Sequence, residues 1–191
     1  MNDAGLPEVM VVGASAGGVA ALQAIVQALP AGLSVPVLVV LHVPRDRNSR
    51  IVEVLAPHCA VPVREAEDKQ PIERGTVTFA PPDYHLLVED RSSVALSIDP
   101  PVLYSRPAID PLFESAAAVF GPRVLALLLT GASSDGSEGV AAVREAGGRA
   151  WLQCPEEAEA SMMPASALKH AGADAVLPLE LMCRRLKELF S

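Results

Sequence analysis

Glu8–Leu29, EVMVVGASAGGVAALQAIVQAL, decides the fold. Glu8–Val12 reads as a short apolar strand and Gly13–Gly18 as a glycine turn. Val19–Leu29 is a run of strong helix formers that stops before Pro30. The strand-turn-helix pattern recurs down the chain. Val35–Leu41 (VPVLVVL) and Val124–Leu129 (VLALLL) are further apolar runs with almost no polar alternation. Strands of that kind are buried on both faces, so they belong in a parallel sheet covered by helices.

Working outward, Asn48–Leu55, Pro111–Phe120, Gly136–Ala146, Pro164–Ala171 and Leu179–Leu189 carry helix patterns. Proline is expected at the first position of the second of these, and Gly147-Gly148 closes the third. Pro62–Ala66 and Arg149–Gln153 read as strands. Gly75–Ala80, His85–Glu89 and Ser93–Ile98 are joined by connections too short for a parallel crossover, so an antiparallel hairpin or meander is expected there. The expected fold is α/β: a mostly parallel, doubly wound sheet with helices on both faces, plus an antiparallel hairpin. One domain over residues 1–191 is the natural size.

Composition narrows the function. A hydrophobic fraction of 50% with 20% charged residues is that of a folded core, not of a disordered chain. The net charge is −8 and no basic run occurs, which argues against nucleic acid or an anionic membrane as partner. No apolar run reaches the ~18 residues of a membrane span, and residues 1–8 lack the pattern of a signal peptide. Cys59, Cys154 and Cys183 are widely spaced and form no CxxC pair, which disfavours disulfides and a structural zinc site. A cytoplasmic protein without a metal site is expected.

In open α/β sheets the active site lies outside the carboxyl ends of the strands. Three such ends carry polar residues. The first strand ends in Gly13-Ala14-Ser15-Ala16-Gly17-Gly18, a G-x-S-x-G between strand and helix, the context of a nucleophile elbow. The helix that follows aims its first amides, beginning near Ala16, at the place where an oxyanion would form. A phosphate loop or a serine N-cap is the alternative reading of the same residues. The second strand ends in Leu41-His42, and imidazole is the usual base for a serine hydroxyl. A dinucleotide site would want an acidic residue there and a glycine in place of Ser15. The third strand runs into Thr130–Gly136 (TGASSDG), where Asp135 is either a helix cap or the acid that orients His42. His85 is a second choice for the base or a residue at the mouth of the site. His58 and His170 read as surface residues.

The chain resembles the catalytic domain of the CheB protein-glutamate methylesterases. The resemblance is carried by Val12–Gly18 (VGASAGG), Leu41–Pro44 (LHVP), Gly75–Leu86 (GTVTFAPPDYHL) and Ser105–Asp110 (SRPAID). It continues through Leu129–Gly136 (LTGASSDG), Gly147–Gln153 (GGRAWLQ) and Ser161–Pro164 (SMMP). It implies a three-layer α/β/α fold, no cofactor, and a triad of Ser15, His42 and Asp135. Substrates implied are methylated chemotaxis receptors, with deamidation of receptor glutamines by the same site. Oxyanion and substrate contacts are expected from Ala16, Ala132, Ser133 and Arg106, the last alternatively paired with Asp110. The chain departs from the family at Ala132 and Ser133, where methionine and glycine are frequent. It departs again at Cys154, where an acidic residue usually follows the glutamine. Two-domain members carry an N-terminal receiver domain, whereas here the first strand begins within ten residues of Met1. The stand-alone branch is therefore expected, active without a phosphodonor and controlled by a separate protein. A general ester or amide hydrolase and a non-catalytic docking module are the rival readings.

Overall fold

The computed structural model describes residues 5–42 and 49–191. Seven strands form one all-parallel sheet: β1 (Val9–Ala14), β2 (Val37–Leu41), β3 (Val63–Glu65), β4 (Val77–Phe79), β7 (Val124–Leu128), β8 (Arg149–Gln153) and β9 (Ala175–Leu177), in the order β3-β4-β2-β1-β7-β8-β9. Strands β5 (His85–Val88) and β6 (Val94–Ser97) make a separate antiparallel hairpin. The helices are α1 (Gly18–Ala28), α2 (Ile51–Leu55), α3 (Ile109–Phe120), α4 (Ser137–Glu145), α5 (Met162–Ala171) and α6 (Leu179–Phe190). The α2 pattern was expected from Asn48, which lies outside the described residues.

The unbroken apolar strands are explained by two cores. Met10, Val12, Val37 and Val39 point to one face of the sheet, where Leu22 and Ile25 of α1, Leu55 of α2 and Met182 and Leu186 of α6 cover them. Val9, Val11, Leu38 and Val40 point to the other, under Leu112 and Phe113 of α3, Val140 of α4, Met163 of α5 and Leu86 of the hairpin. Alternation in a strand separates faces, and here both faces are apolar because both are covered. Each fully buried aliphatic or aromatic side chain contributes about 1.5–3 kcal/mol. Among the described residues, no helix is long and apolar enough to cross a membrane.

The sheet departs from the expected meander at one strand. Val77–Phe79 does not join the hairpin: it pairs in parallel with β2 (Val37↔Val77) and with β3 (Val63↔Val77). The short connection after β4 leads out of the sheet, so its length places no limit on how β4 itself pairs. All three residues of β4 are buried, as a central strand requires. Helix α3 also begins earlier than its proline suggested, at Ile109 instead of Pro111. Its two extra residues are held from outside, because the Asp135 carboxylate accepts the N–H groups of Ile109 and Asp110. Strand β9 is a three-residue edge that the sequence pattern does not reveal.

Strand order reverses at the sheet centre. The chain leaves β1 for β2 on one side and returns to β7 on the other. Ligand sites of open α/β sheets form at such a switch point, and here it is flanked by the loops that follow β1 and β7, with His42 just past the end of β2.

Candidate active site

The turn after β1 is shaped by close packing. Gly13 lies under Ile109, and a Cβ there would come within 2.6 Å of the Ile109 side chain. Gly17 takes a left-handed φ of 75° as the N-cap of α1, a conformation that glycine adopts without steric cost. Between them sits Ser15, half-buried, its own N–H donated to the carbonyl of Thr130 at 3.0 Å. Gly131 presses against both Ser15 and Met163, at 2.9 and 2.6 Å from a Cβ built on it.

Thr130 ties this turn to its neighbours. It is 1% exposed. Its hydroxyl accepts the N–H of Ala160 at 2.8 Å and lies 2.9 Å from the Ala16 carbonyl, to which it donates. Its backbone N–H donates to the Gln153 side chain at 2.9 Å. The loops after β1, β7 and β8 are thereby linked through one buried residue. Among the described residues, the N–H groups of Ala16 and Ala132 have no hydrogen-bond acceptor. The Ser133 hydroxyl accepts the N–H of Asp135 at 3.1 Å, which closes the loop before α4.

His42 follows β2 and is drawn toward the loop after β7. Its Nε2 lies 2.7 Å from Asp135 Oδ2. Asp135 is fully buried. Its Oδ2 also accepts from Ile109 N–H at 2.6 Å, and its Oδ1 from Asp110 N–H at 3.0 Å. Burial alone would raise this carboxyl. The His42 hydrogen bond, the two backbone N–H groups and the His42 charge outweigh it and hold Asp135 below the ordinary carboxylate value. An ionised Asp135 accepts the Nε2 proton, which leaves His42 Nδ1 as the basic nitrogen. The hydroxyl of Ser105 lies 3.3 Å from Nδ1 and donates to it. Among the described residues, no hydrogen bond joins Ser15 to His42.

Other expectations resolve differently. Arg106 does not pair with Asp110. Its guanidinium grips Asp83 Oδ1 through Nε and Nη2 at 3.1 and 2.8 Å, and its Nη1 donates to the carbonyls of Ile98 and Asp99. His85 is buried, with Nε2 on the Pro100 carbonyl at 3.1 Å and Nδ1 accepting the N–H of Ala108 at 3.2 Å. Both side chains thus fasten the β5–β6 hairpin to the loop that carries Ser105. His170 faces Glu138 at 3.1 Å. Among the described residues, no group of three or more His, Cys, Asp or Glu is arranged to hold a metal ion.

A cleft of about 370 Å³ opens beside the elbow, lined by Ser15, Gly17, Gly18, Val19, Gln23 and Glu159 among others. Residue-by-residue reading of the sequence missed Ser105, Thr130 and Glu159. Ser105 and Thr130 lie inside segments that carry the family resemblance, which was the available signal. Nothing in the spacing around Glu159 marks it.

A serine in a strand–helix turn beside a histidine–carboxylate pair is the arrangement that serine hydrolases use. The chain belongs to the CheB methylesterase family, whose model matches residues 10–186. It is 39% identical over 183 residues to a candidate protein-glutamate methylesterase/protein-glutamine glutaminase of Leptospira interrogans, covering 96% of this chain and 93% of the relative. A protein-glutamate methylesterase/protein-glutamine glutaminase of Saccharophagus degradans is 38% identical over 95% of this chain and 50% of its own length. The crystal structure of the Thermotoga maritima CheB methylesterase catalytic domain is similar with a TM-score of 0.90 at 30% identity, covering 96% of this chain and 98% of that one.

Proposed function

We propose that this chain hydrolyses γ-methyl esters of protein glutamates, with methylated chemotaxis receptors as its substrate class. Amides of receptor glutamines would react by the same route. Residues 10–186 act as one catalytic domain in this reading, in the cytoplasm, where the three free cysteines stay reduced. The observation that carries it is the 2.7 Å bond from His42 Nε2 to a buried, ionised Asp135, beside an elbow serine at the adjoining strand end. Methylesterase relatives that align over nearly the whole chain add support.

The reaction is acyl transfer in two steps. Ser15 Oγ attacks the ester carbonyl while His42 Nδ1 takes its proton. For that, the Ser15 hydroxyl must displace the Ser105 hydroxyl from Nδ1. Asp135 stabilises the imidazolium that forms. The unpaired amides of Ala16 and Ala132 are the candidate donors to the tetrahedral oxyanion. His42 then protonates the departing methanol. Water, activated by the same nitrogen, attacks the acyl-enzyme and releases the glutamate carboxylate. Arg106, engaged with Asp83, supports the Ser105 loop in this account and contacts substrate only through that loop.

The test is methanol release from receptor carrying labelled methyl esters, comparing the wild type with Ser15→Ala. Release by the wild type and none above background by the variant is expected. Wild-type activity on a chromogenic ester with none on methylated receptor would contradict the substrate class.

A further inference from the structure

Asp110 is buried at 7% exposure in the first turn of α3, and among the described residues no cation pairs with it. Its Oδ1 accepts the N–H of Gly139, in the first turn of α4, at 2.8 Å. Asp135, two residues ahead of α4, accepts the N–H groups of Ile109 and Asp110 at the start of α3. Each helix is capped by an acid from the N-terminal segment of the other. Neither has a side-chain cap from its own preceding residue, which is Ala108 for α3 and Gly136 for α4. We propose that Asp110 is a positioning residue that fixes Asp135, and through it the ring of His42, by this exchange of helix caps. The kinetic part of the inference rests on the hydrolase reading, whereas the structural part does not.

The two caps depend on each other. The Gly139 bond holds the start of α4 against α3, and Asp135 sits on the loop that leads into α4. Losing the Asp110 acceptor leaves the Gly139 N–H unpaired and frees that loop to shift, taking Asp135 with it. Fully satisfied buried networks rigidify what they connect.

Two helix N-termini meet here, and their positive ends favour acidic groups. Two adjacent carboxylates nevertheless repel. The groups that face Asp110 are Asp135 with His42 behind it, Glu114 on its own helix, and Glu138 on α4 with His170 of α5. Burial, then the charge and hydrogen bond of Asp135 and the charge of Glu114, push the Asp110 carboxyl up to about 7 against the opposing pull of the Gly139 N–H. Below that pH it carries a proton that it donates to Asp135. A cavity of about 450 Å³, lined by Asp110, Ser134, Ser137 and Glu138 among others, connects it to solvent. Above about 7 a second negative charge lies against Asp135 and loosens the pair.

The test compares Asp110→Asn and Asp110→Ala with the wild type by proton NMR and by methyl-ester hydrolysis. The His42 Nε2 proton bonded to Asp135 gives a downfield signal whether or not the chain turns over an ester. The Asn variant keeps an oxygen for Gly139, so it should keep the signal and lose at most about threefold in kcat. The Ala variant should lose or broaden the signal and drop kcat by roughly 10- to 100-fold, with KM within about twofold. Wild-type kcat should decline as pH rises above about 7, and the Asn variant, which cannot ionise, should not. If the Ala variant fails to fold, the Asn pH profile decides alone. Equal effects of Asn and Ala on the signal, or an alkaline decline in the Asn variant matching that of the wild type, would overturn the proposal. A wild type that shows the signal but hydrolyses no ester sinks the function proposed above, and the NMR comparison still decides the role of Asp110.

Discussion

The two ends of the Ser15–His42–Asp135 cluster are built to different standards. Asp135 is fully buried and receives a histidine and two backbone donors at 2.6–3.0 Å. Ser15 is half-buried beside an open cleft; its backbone is tied to Thr130, while His42 Nδ1 is occupied by Ser105 at 3.3 Å. In the proposed reaction the acid end is therefore assembled in advance, and the nucleophile end would be completed when substrate arrives. Preorganised charge is cheap to keep buried when every lone pair has a donor. A nucleophile has to stay reachable, so it cannot be enclosed in the same way.

This contrast can be attacked by mutation. Ser15→Ala should cost the most, about 10⁶-fold in turnover with folding intact, as when a serine protease loses its nucleophile. Asp135→Asn should cost about 10⁴-fold, because the amide removes the charge on imidazolium and favours the wrong tautomer. That variant carries a second signature. The Asp135 carboxyl is held below its ordinary value in the folded chain, so it contributes stability above about pH 4 that disappears as pH falls. The wild type should lead the Asn variant in denaturant midpoint at pH 7, and the gap should be narrower at pH 3. Equal midpoints at both pH values would show that Asp135 is not stabilised by its donors.

Smaller effects are expected nearer the nucleophile. Thr130→Val leaves the Ala160 N–H and the Ala16 carbonyl without their partner, a cost of about 1–3 kcal/mol, or roughly 2–12 °C in Tm. Calorimetry on the two proteins checks it, and an unchanged Tm would mean that the loops after β1 and β8 do not depend on Thr130. Ser105→Ala should act in the opposite direction. It releases the basic nitrogen of His42, so the rate of organophosphate labelling should rise by up to about fivefold, the equivalent of ~1 kcal/mol. A slower rate would show that Ser105 orients the ring instead of occupying it.

The sequence discloses the parts of this molecule that follow from local chemistry. Continuous apolar runs mark the central strands β1, β2 and β7, because burial on both faces leaves no room for polar alternation. The same runs locate the strand ends where Ser15, His42 and Asp135 lie. What escapes is set by contacts between distant segments. The pairing of Val77–Phe79 depends on which strands have space beside them, not on the turn that follows. The start of α3 depends on Asp135, 26 residues from Ile109 along the chain, and the partner of Arg106 proves to be Asp83, 23 residues away. His85 stands in a segment that carries the family resemblance, yet both its nitrogens serve backbone. A histidine's neighbours decide its role, and spacing does not name them.

The proposed chemistry requires that His42 activate Ser15. The direct measurement is intact-mass analysis with peptide mapping after treatment with a fluorophosphonate probe, run on the wild type, His42→Ala and His85→Ala. A single adduct on Ser15 is expected in the wild type, with near-complete loss in His42→Ala and retention in His85→Ala. An adduct on another residue, or labelling of Ser15 that survives His42→Ala and fails in His85→Ala, would contradict that chemistry.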